Sequence, residues 1–145
     1  HWGTEYTHVP TTEEREIAKY LASLGVDIII GHHPHVIQPI EYIDDTVVFY
    51  SLGNFISAQD GINKRVGMMA SLEINKTVTD GKTTSVTIDN VKGDLIWTYY
   101  QNYKNFKVIP FNKLDNSKLN GYESIYNQYK PIINKTNDSR IQTGF

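Results

Sequence analysis

Val26-Asp27-Ile28-Ile29-Ile30-Gly31-His32-His33-Pro34-His35 decides how the chain is read. Its first half is a β-branched apolar run that stops at a glycine, the pattern of a buried strand whose C-terminal end opens into a loop. Open α/β sheets place ligands at such strand ends, so the loop is the first candidate for chemistry. It carries three of the chain's five histidines in four positions. Pro34 biases His33 toward extended backbone, and residues two apart on an extended chain face the same side. The expected pair is therefore His33 with His35, with His32 turned away. Neutral imidazole is a common ligand for zinc, manganese and iron, so the pair reads as half of a metal site or as a phosphate site. The alternative for the same residues is a polar turn whose imidazoles bond to backbone.

Upstream, Thr11 to Leu24 predicts a helix. Thr11 and Glu14 have capping-box spacing, acids fill the first turn, Ile17, Ala18, Leu21 and Ala22 form an apolar stripe, and Gly25 closes it. His1 to Pro10 is too polar and irregular for a core element and reads as a loop bearing His1, Glu5 and His8. Glu5 is placed to orient His1 or His8, or else it is a solvated acid. Downstream, Val36 to Tyr42 and Thr46 to Tyr50 read as strands about an Asp44-Asp45 turn, with Pro39 demoting the first toward an edge or a bulge. The second runs into Ser51-Leu52-Gly53-Asn54-Phe55, where Asn54 either donates its amide to a bound anion or a histidine, or simply makes a Gly-Asn turn.

Gln59 to Lys64 reads as a polar, mobile connection. Further strands are expected at Val66 to Ile74, Ser85 to Val91, Leu95 to Tyr100 and Phe106 to Phe111, with turns at Thr79 to Lys82 and Lys92-Gly93-Asp94. Helical spacing of Leu119, Tyr122, Tyr126 and Tyr129 predicts a helix from Ser117 to Lys130, interrupted by Gly121 and stopped by Pro131. From Asn134 the chain reads as a polar tail. Composition shifts near residue 60, from a histidine-bearing αβ portion to a β-rich, tyrosine-rich one. The expected organisation is 1–60 with the functional motifs, 61–134 as β-rich completion of the same domain with a final helix, and 135–145 as tail. The late tyrosines and Trp97 are read as packing before polymer stacking.

A chain of 145 residues with 39% hydrophobic and 21% charged residues and a net charge of −2 is an ordinary globular domain, long enough to bury a core. Lys and Arg are scattered without a basic stripe, which argues against nucleic acid as a partner. There is no cysteine, hence no disulfide or thiolate ligand. The chain opens without methionine in the middle of a motif, and we expect it to be the C-terminal part of a longer protein whose N-terminal portion carries any membrane anchor.

Three motifs in order, His1-Trp2-Gly3-Thr4-Glu5-Tyr6, Gly31-His32-His33-Pro34-His35 with Val36-Ile37-Gln38-Pro39, and Tyr50-Ser51-Leu52-Gly53-Asn54-Phe55, resemble the C-terminal motifs of the capsule-synthesis (CapA or PgsA-like) family of poly-γ-glutamate biosynthesis. That family is a branch of the calcineurin-like metallophosphoesterases. The resemblance covers about the first 60 residues. It implies an α/β (α+β) fold, the C-terminal portion of a metallophosphoesterase-like β-sandwich flanked by helices. It also implies a site for divalent manganese, iron or zinc to which His1, His33 and His35 contribute. A histidine more than the family pattern stands between Gly31 and the pair, which leaves His32 or His33 as the ligand. The superfamily's earlier aspartate motifs and bridging carboxylate have no counterpart here.

The intact protein is expected to act as a metal-dependent hydrolase on a phosphoester or a γ-glutamyl bond, with His1, His33 and Glu5 as catalytic candidates, and Asn54 contacting a bound group. This segment alone is expected to be inactive. Its expected partners are the missing N-terminal part, an anionic polymer or phosphoester substrate, and membrane components of a capsule synthase. The expected location is the bacterial cell surface, outside the cytoplasm. The rival is a non-catalytic scaffold or polymer-binding component of a surface polymer synthase.

Overall fold

The computed structural model describes residues 1–145. Helix α1 (Thr12–Ser23) starts where the sequence places it, because the Thr11 hydroxyl accepts the Glu14 amide at 3.2 Å and the Glu14 carboxylate accepts the Thr11 amide at 2.6 Å. Gly25, at φ +82°, ends it in the left-handed conformation. The chain then enters a three-stranded mixed sheet of β1 (Ile28–Ile30), β2 (Ile40–Ile43) and β3 (Thr46–Phe49), ordered β1-β3-β2. β1 runs parallel to β3 and β2 antiparallel to it.

The strand expected over Val26 to Ile30 is shorter, and it is not buried throughout. β1 has β3 as its sole neighbour, and Ile30 is 60% exposed. The apolar run marks the strand but does not tell which of its edges is covered. Val36 to Pro39 is likewise outside a regular strand: Ile37 makes one bridge to Leu52, and β2 begins only after Pro39.

The second sheet joins β4 (Val66–Thr79), β5 (Lys82–Gln101) and β6 (Lys104–Pro110), with β7 (Ile141–Thr143) parallel to β5. Two mixed sheets with three α-helices thus give the α/β class expected. Several local expectations are corrected. Lys92-Gly93-Asp94 is not a turn but the middle of β5, a 20-residue strand, since a side chain at Gly93 would strike Ile133, Ile40 and Met68 and the glycine lets the layers close. The polar connection 59–64 contains a short helix, α2 (Ile62–Arg65). The last helix, α3, spans Tyr122–Ile133, shifted toward the C-terminus: Gly121 sits before it at φ +71°, and Pro131 lies inside its final turn. Burial of Tyr129 and fully buried Ile133 carries the helix past the proline. The presumed tail supplies β7, whose Ile141 is 4% exposed.

One core serves both sheets. Ile40 and Phe49 of the first meet Met68, Leu95 and Trp97 of the second, and Ile133 closes it. A smaller cluster of Ala18, Ile29, Val48 and Tyr50 fixes α1 on the other face of the first sheet. Arg15 strengthens that docking with a two-pronged bond to Glu41 of β2, at 2.6 and 3.2 Å. Tyr50, 1% exposed, lies beneath the Arg15 guanidinium. Burial, with the Glu41 carboxylate next, pushes its hydroxyl up to about 12 from 10.0. The folded state therefore holds this proton more tightly than the unfolded chain, and the associated stability is intact below pH 10.0 and lost as pH rises toward 12. Melting temperature should fall across that window, and Tyr50→Phe should make the fall shallower in a pH series of thermal melts.

Candidate functional site

The loop after β1 is built by three backbone crossings. Gly31 donates to Phe49 O at 2.7 Å, continuing the β1–β3 ladder by one residue. The N-terminal segment then runs over the loop: Trp2 N donates to His32 O at 3.1 Å and Tyr6 N to Pro34 O at 2.8 Å. The Trp2 indole anchors this crossing on Tyr50 O at 2.8 Å. Residues 1–8 are thus a loop, as the sequence reads, and one docked along its length: Gln38 Nε2 donates to Thr7 O and His8 Nδ1 contacts Ile37 O.

The histidine loop is not extended. His33 has φ +109° and His35 φ +60°, so the geometric premise for pairing them fails. The pair nevertheless meets, with ring centroids 6.1 Å apart. The two left-handed residues curl the chain around Pro34, whose carbonyl is held by Tyr6 N. Positive φ at side chains other than glycine is costly and concentrates at functional sites, where surrounding contacts enforce it. Tyr6, across the loop, also has φ +63°.

Glu5, His33 and His35 converge, each offering one ligand atom, with these atoms all within 4.8 Å of one another. Glu5 Oε1 stands 3.6 Å from His35 Nε2. Glu5 therefore faces His35 and not His1 or His8, because Tyr6 N pins this part of the segment over Pro34. His1 is outside the three-residue group but its ring rests on His33, centroids 4.0 Å apart. His32 is exposed and contributes only its carbonyl, to Trp2 N.

Asn54 sets the tautomer of a neutral His35. Its amide nitrogen donates twice, to Gln59 Oε1 and to Lys64 O, each at 3.0 Å. The oxygen must then be the atom facing His35 Nδ1, also at 3.0 Å. That oxygen only accepts, so Nδ1 carries a proton, and in the neutral imidazole Nε2 presents its lone pair toward Glu5. Asn54 accepts from a histidine where the sequence has it donating. A carboxylate and an imidazole lone pair aimed at each other call for a cation between them, and a carboxylate with two imidazoles is a donor set that zinc, manganese or iron accepts. Asn54→Ala should lower affinity for Mn²⁺ or Zn²⁺ about tenfold, the usual scale for removing a partner of a ligating histidine. Asn54→Asp, which still accepts from Nδ1, should retain most of it in the same titration.

Three residues of this wall escape sequence reading. Tyr6 stacks on His35 at 6.0 Å, Lys64 Nζ sits 5.1 Å over the Tyr6 ring, and Gln59 bridges Asn54 to the Tyr6 hydroxyl. The motif containing Tyr6 offers a signal. Gln59 and Lys64 lie in the polar connection and offer none.

Fold and site together define a mixed α/β domain in which the N-terminal segment and the loop after β1 bring together three residues that could hold a metal. Residues 1–59 match the family described as bacterial capsule synthesis protein PGA_cap. The chain is 43% identical over 79 residues to the PGA biosynthesis protein CapA of Bacillus subtilis (strain 168), covering 54% of this chain and 21% of that protein. It is 46% identical over 59 residues to the capsule biosynthesis protein CapA of Bacillus anthracis, covering 41% and 14%. A probable polyglutamine synthesis accessory protein of Mycobacterium tuberculosis is 27% identical over 81 residues, covering 55% and 21%. The chain spans about a fifth of the length of these relatives or less, 21%, 14% and 21%. No solved structure matches it. No helix is long and apolar enough to cross a membrane.

Proposed function

We propose that this segment contributes part of a divalent-metal site to a capsule, or poly-γ-glutamate, biosynthesis protein with a metallophosphoesterase-like fold. The observation that carries the proposal is the convergence of Glu5, His33 and His35 within 4.8 Å. The names of the Bacillus relatives support the polymer context. Glu5 Oε1, one nitrogen of His33 and Nε2 of His35 would hold the metal, and Asn54 keeps His35 in the tautomer that can bind. A metal there would supply Lewis-acid chemistry to a phosphoester or γ-glutamyl bond. His1, lying on His33 at the exposed side, is placed to hold or move a proton at its imidazole. Tyr6 and Lys64 form the wall through which an anionic substrate would approach.

The remaining ligands come from outside this segment, which by itself is inactive. The site works at the bacterial cell surface beside membrane components of the synthase. The test is made in the full-length protein: His33→Ala with His35→Ala should abolish both transition-metal content and polymer production. Unchanged polymer from the double variant, with only trace metal in the wild type, would replace the hydrolase with a non-catalytic scaffold.

A further inference from the structure

A cavity of about 430 Å³ lies between β5, the 3-10 turn at Phe111–Lys113 and the start of α3, away from the histidine loop. Its floor is Asp94, which is 6% exposed. Leu95 N, at 2.8 Å, and Tyr126 OH, at 3.1 Å, both bond to Asp94 Oδ1, and Oδ2 receives no bond. The Arg–carboxylate ion pairs of the chain are Arg15–Glu41 and Arg140–Asp138, and no Lys, Arg or His pairs with Asp94. Lys113 lines an adjoining hollow of about 240 Å³ that shares Asp94, without pairing to it. Lys130 lies 5.4 Å over the Tyr126 ring but does not line the cavity. Asp94 Oδ2, which receives no bond, is not fully buried and stays reachable by a ligand.

The walls indicate what ligand would reach that oxygen. A second carboxylate, Glu123, stands in the first turn of α3. Phe111 and Tyr126 present rings 5.6 Å apart and tilted by 40°, and Tyr122 adds a third aromatic. Asn112 and Asn127 supply the remaining polar lining, and no lining residue is cationic. Carboxylates repel an anion, and aromatic faces are poor partners for a hydrated inorganic cation. Together they suit an alkylammonium group, which combines a charge for the carboxylate with apolar surface for the rings. The volume falls in the ordinary range for small-ligand pockets, roughly 300–1,000 Å³.

We propose that this cavity binds an organic ammonium group, with the –NH₃⁺ on Asp94 Oδ2 and its alkyl chain against the Tyr122 and Tyr126 rings. The site is separate from the metal-ligand group and does not depend on it.

The test is calorimetric titration of the protein at low ionic strength with n-butylammonium, using n-butanol and butyrate as controls. Saturable binding is expected for the ammonium alone. Asp94→Asn keeps the acceptor for Leu95 N and Tyr126 OH, and should weaken binding about tenfold or more. Glu123→Gln, at an exposed position that leaves the fold untouched, should weaken it about twofold to threefold. An N-acetylated lysine amide distinguishes the sources: binding of this probe as well assigns the site to a protein lysine, and binding of the free amine alone to a small molecule. Absence of saturable binding, equal binding of n-butanol, or wild-type affinity in both variants would overturn the proposal.

Discussion

Alanine at His33 or at His35 should lower the affinity of the protein for Zn²⁺ or Mn²⁺ by about a hundredfold, whereas His32→Ala should leave it unchanged. The expectation follows from position. His33 and His35 present nitrogens toward each other and toward Glu5, while His32 is exposed and engages only through its carbonyl. A ligating imidazole contributes more than a residue that only orients one, and orienting residues already account for about 10- to 100-fold. The His33 variant should have a second consequence, since it removes the surface on which the His1 ring rests and frees that terminus. Competition against a chromophoric chelator reads the affinities. Equal losses at 32, 33 and 35 would mean a diffuse histidine patch in place of a built site.

The largest stability loss is expected at Gly31, where alanine should destabilise the fold by about 3 kcal/mol or more. A Cβ on Gly31 would overlap the Trp2 indole nitrogen and the Tyr50 carbonyl, the two ends of the 2.8 Å bond that anchors the N-terminal segment. One of the two obstacles is backbone, in the smaller core cluster, so it cannot swing aside. Relief requires expelling Trp2, which leaves the Tyr50 carbonyl unpaired and releases the segment that delivers Glu5. Urea melts should therefore show a lower midpoint, and metal affinity should fall with it. A Gly31→Ala variant with wild-type midpoint would show that the crossing is dispensable.

The same glycine shows how much was legible in the sequence. As a stop after an apolar run it marks the strand end correctly, but its packing role depends on Trp2, a residue 29 positions earlier, and only the folded chain brings them together. The helix α1 was legible to its cap because every signal is local: Thr11, Glu14 and Gly25 act within the helix itself. α3 was displaced because Gly121 and Pro131 were weighed by intrinsic propensity, while burial of Ile133 against the shared core decides the boundary. Lys92-Gly93-Asp94 has the composition of a turn, yet pairing with both β4 and β7 holds it extended.

At the site, the choice of His33 and His35 over His32 came from an extended geometry that the loop does not adopt. The two positive φ values bring the same pair together by another route. The sequence marks Glu5 as an orienting acid for His1 or His8, whereas it faces His35, since nothing in the spacing reveals that Tyr6 N locks onto Pro34 O. Asn54 was recognised as a contact, and only its two acceptors at Gln59 and Lys64 show that its oxygen faces His35.

Anomalous diffraction from crystals of the protein grown with Mn²⁺ or Zn²⁺, collected on both sides of the metal edge, tests the metal-ligand group most directly. A peak about 2.0–2.2 Å from His35 Nε2, from a His33 nitrogen and from a Glu5 oxygen is expected. Data of the same quality with no peak at these three residues, or with metal only at other surface positions, would contradict it.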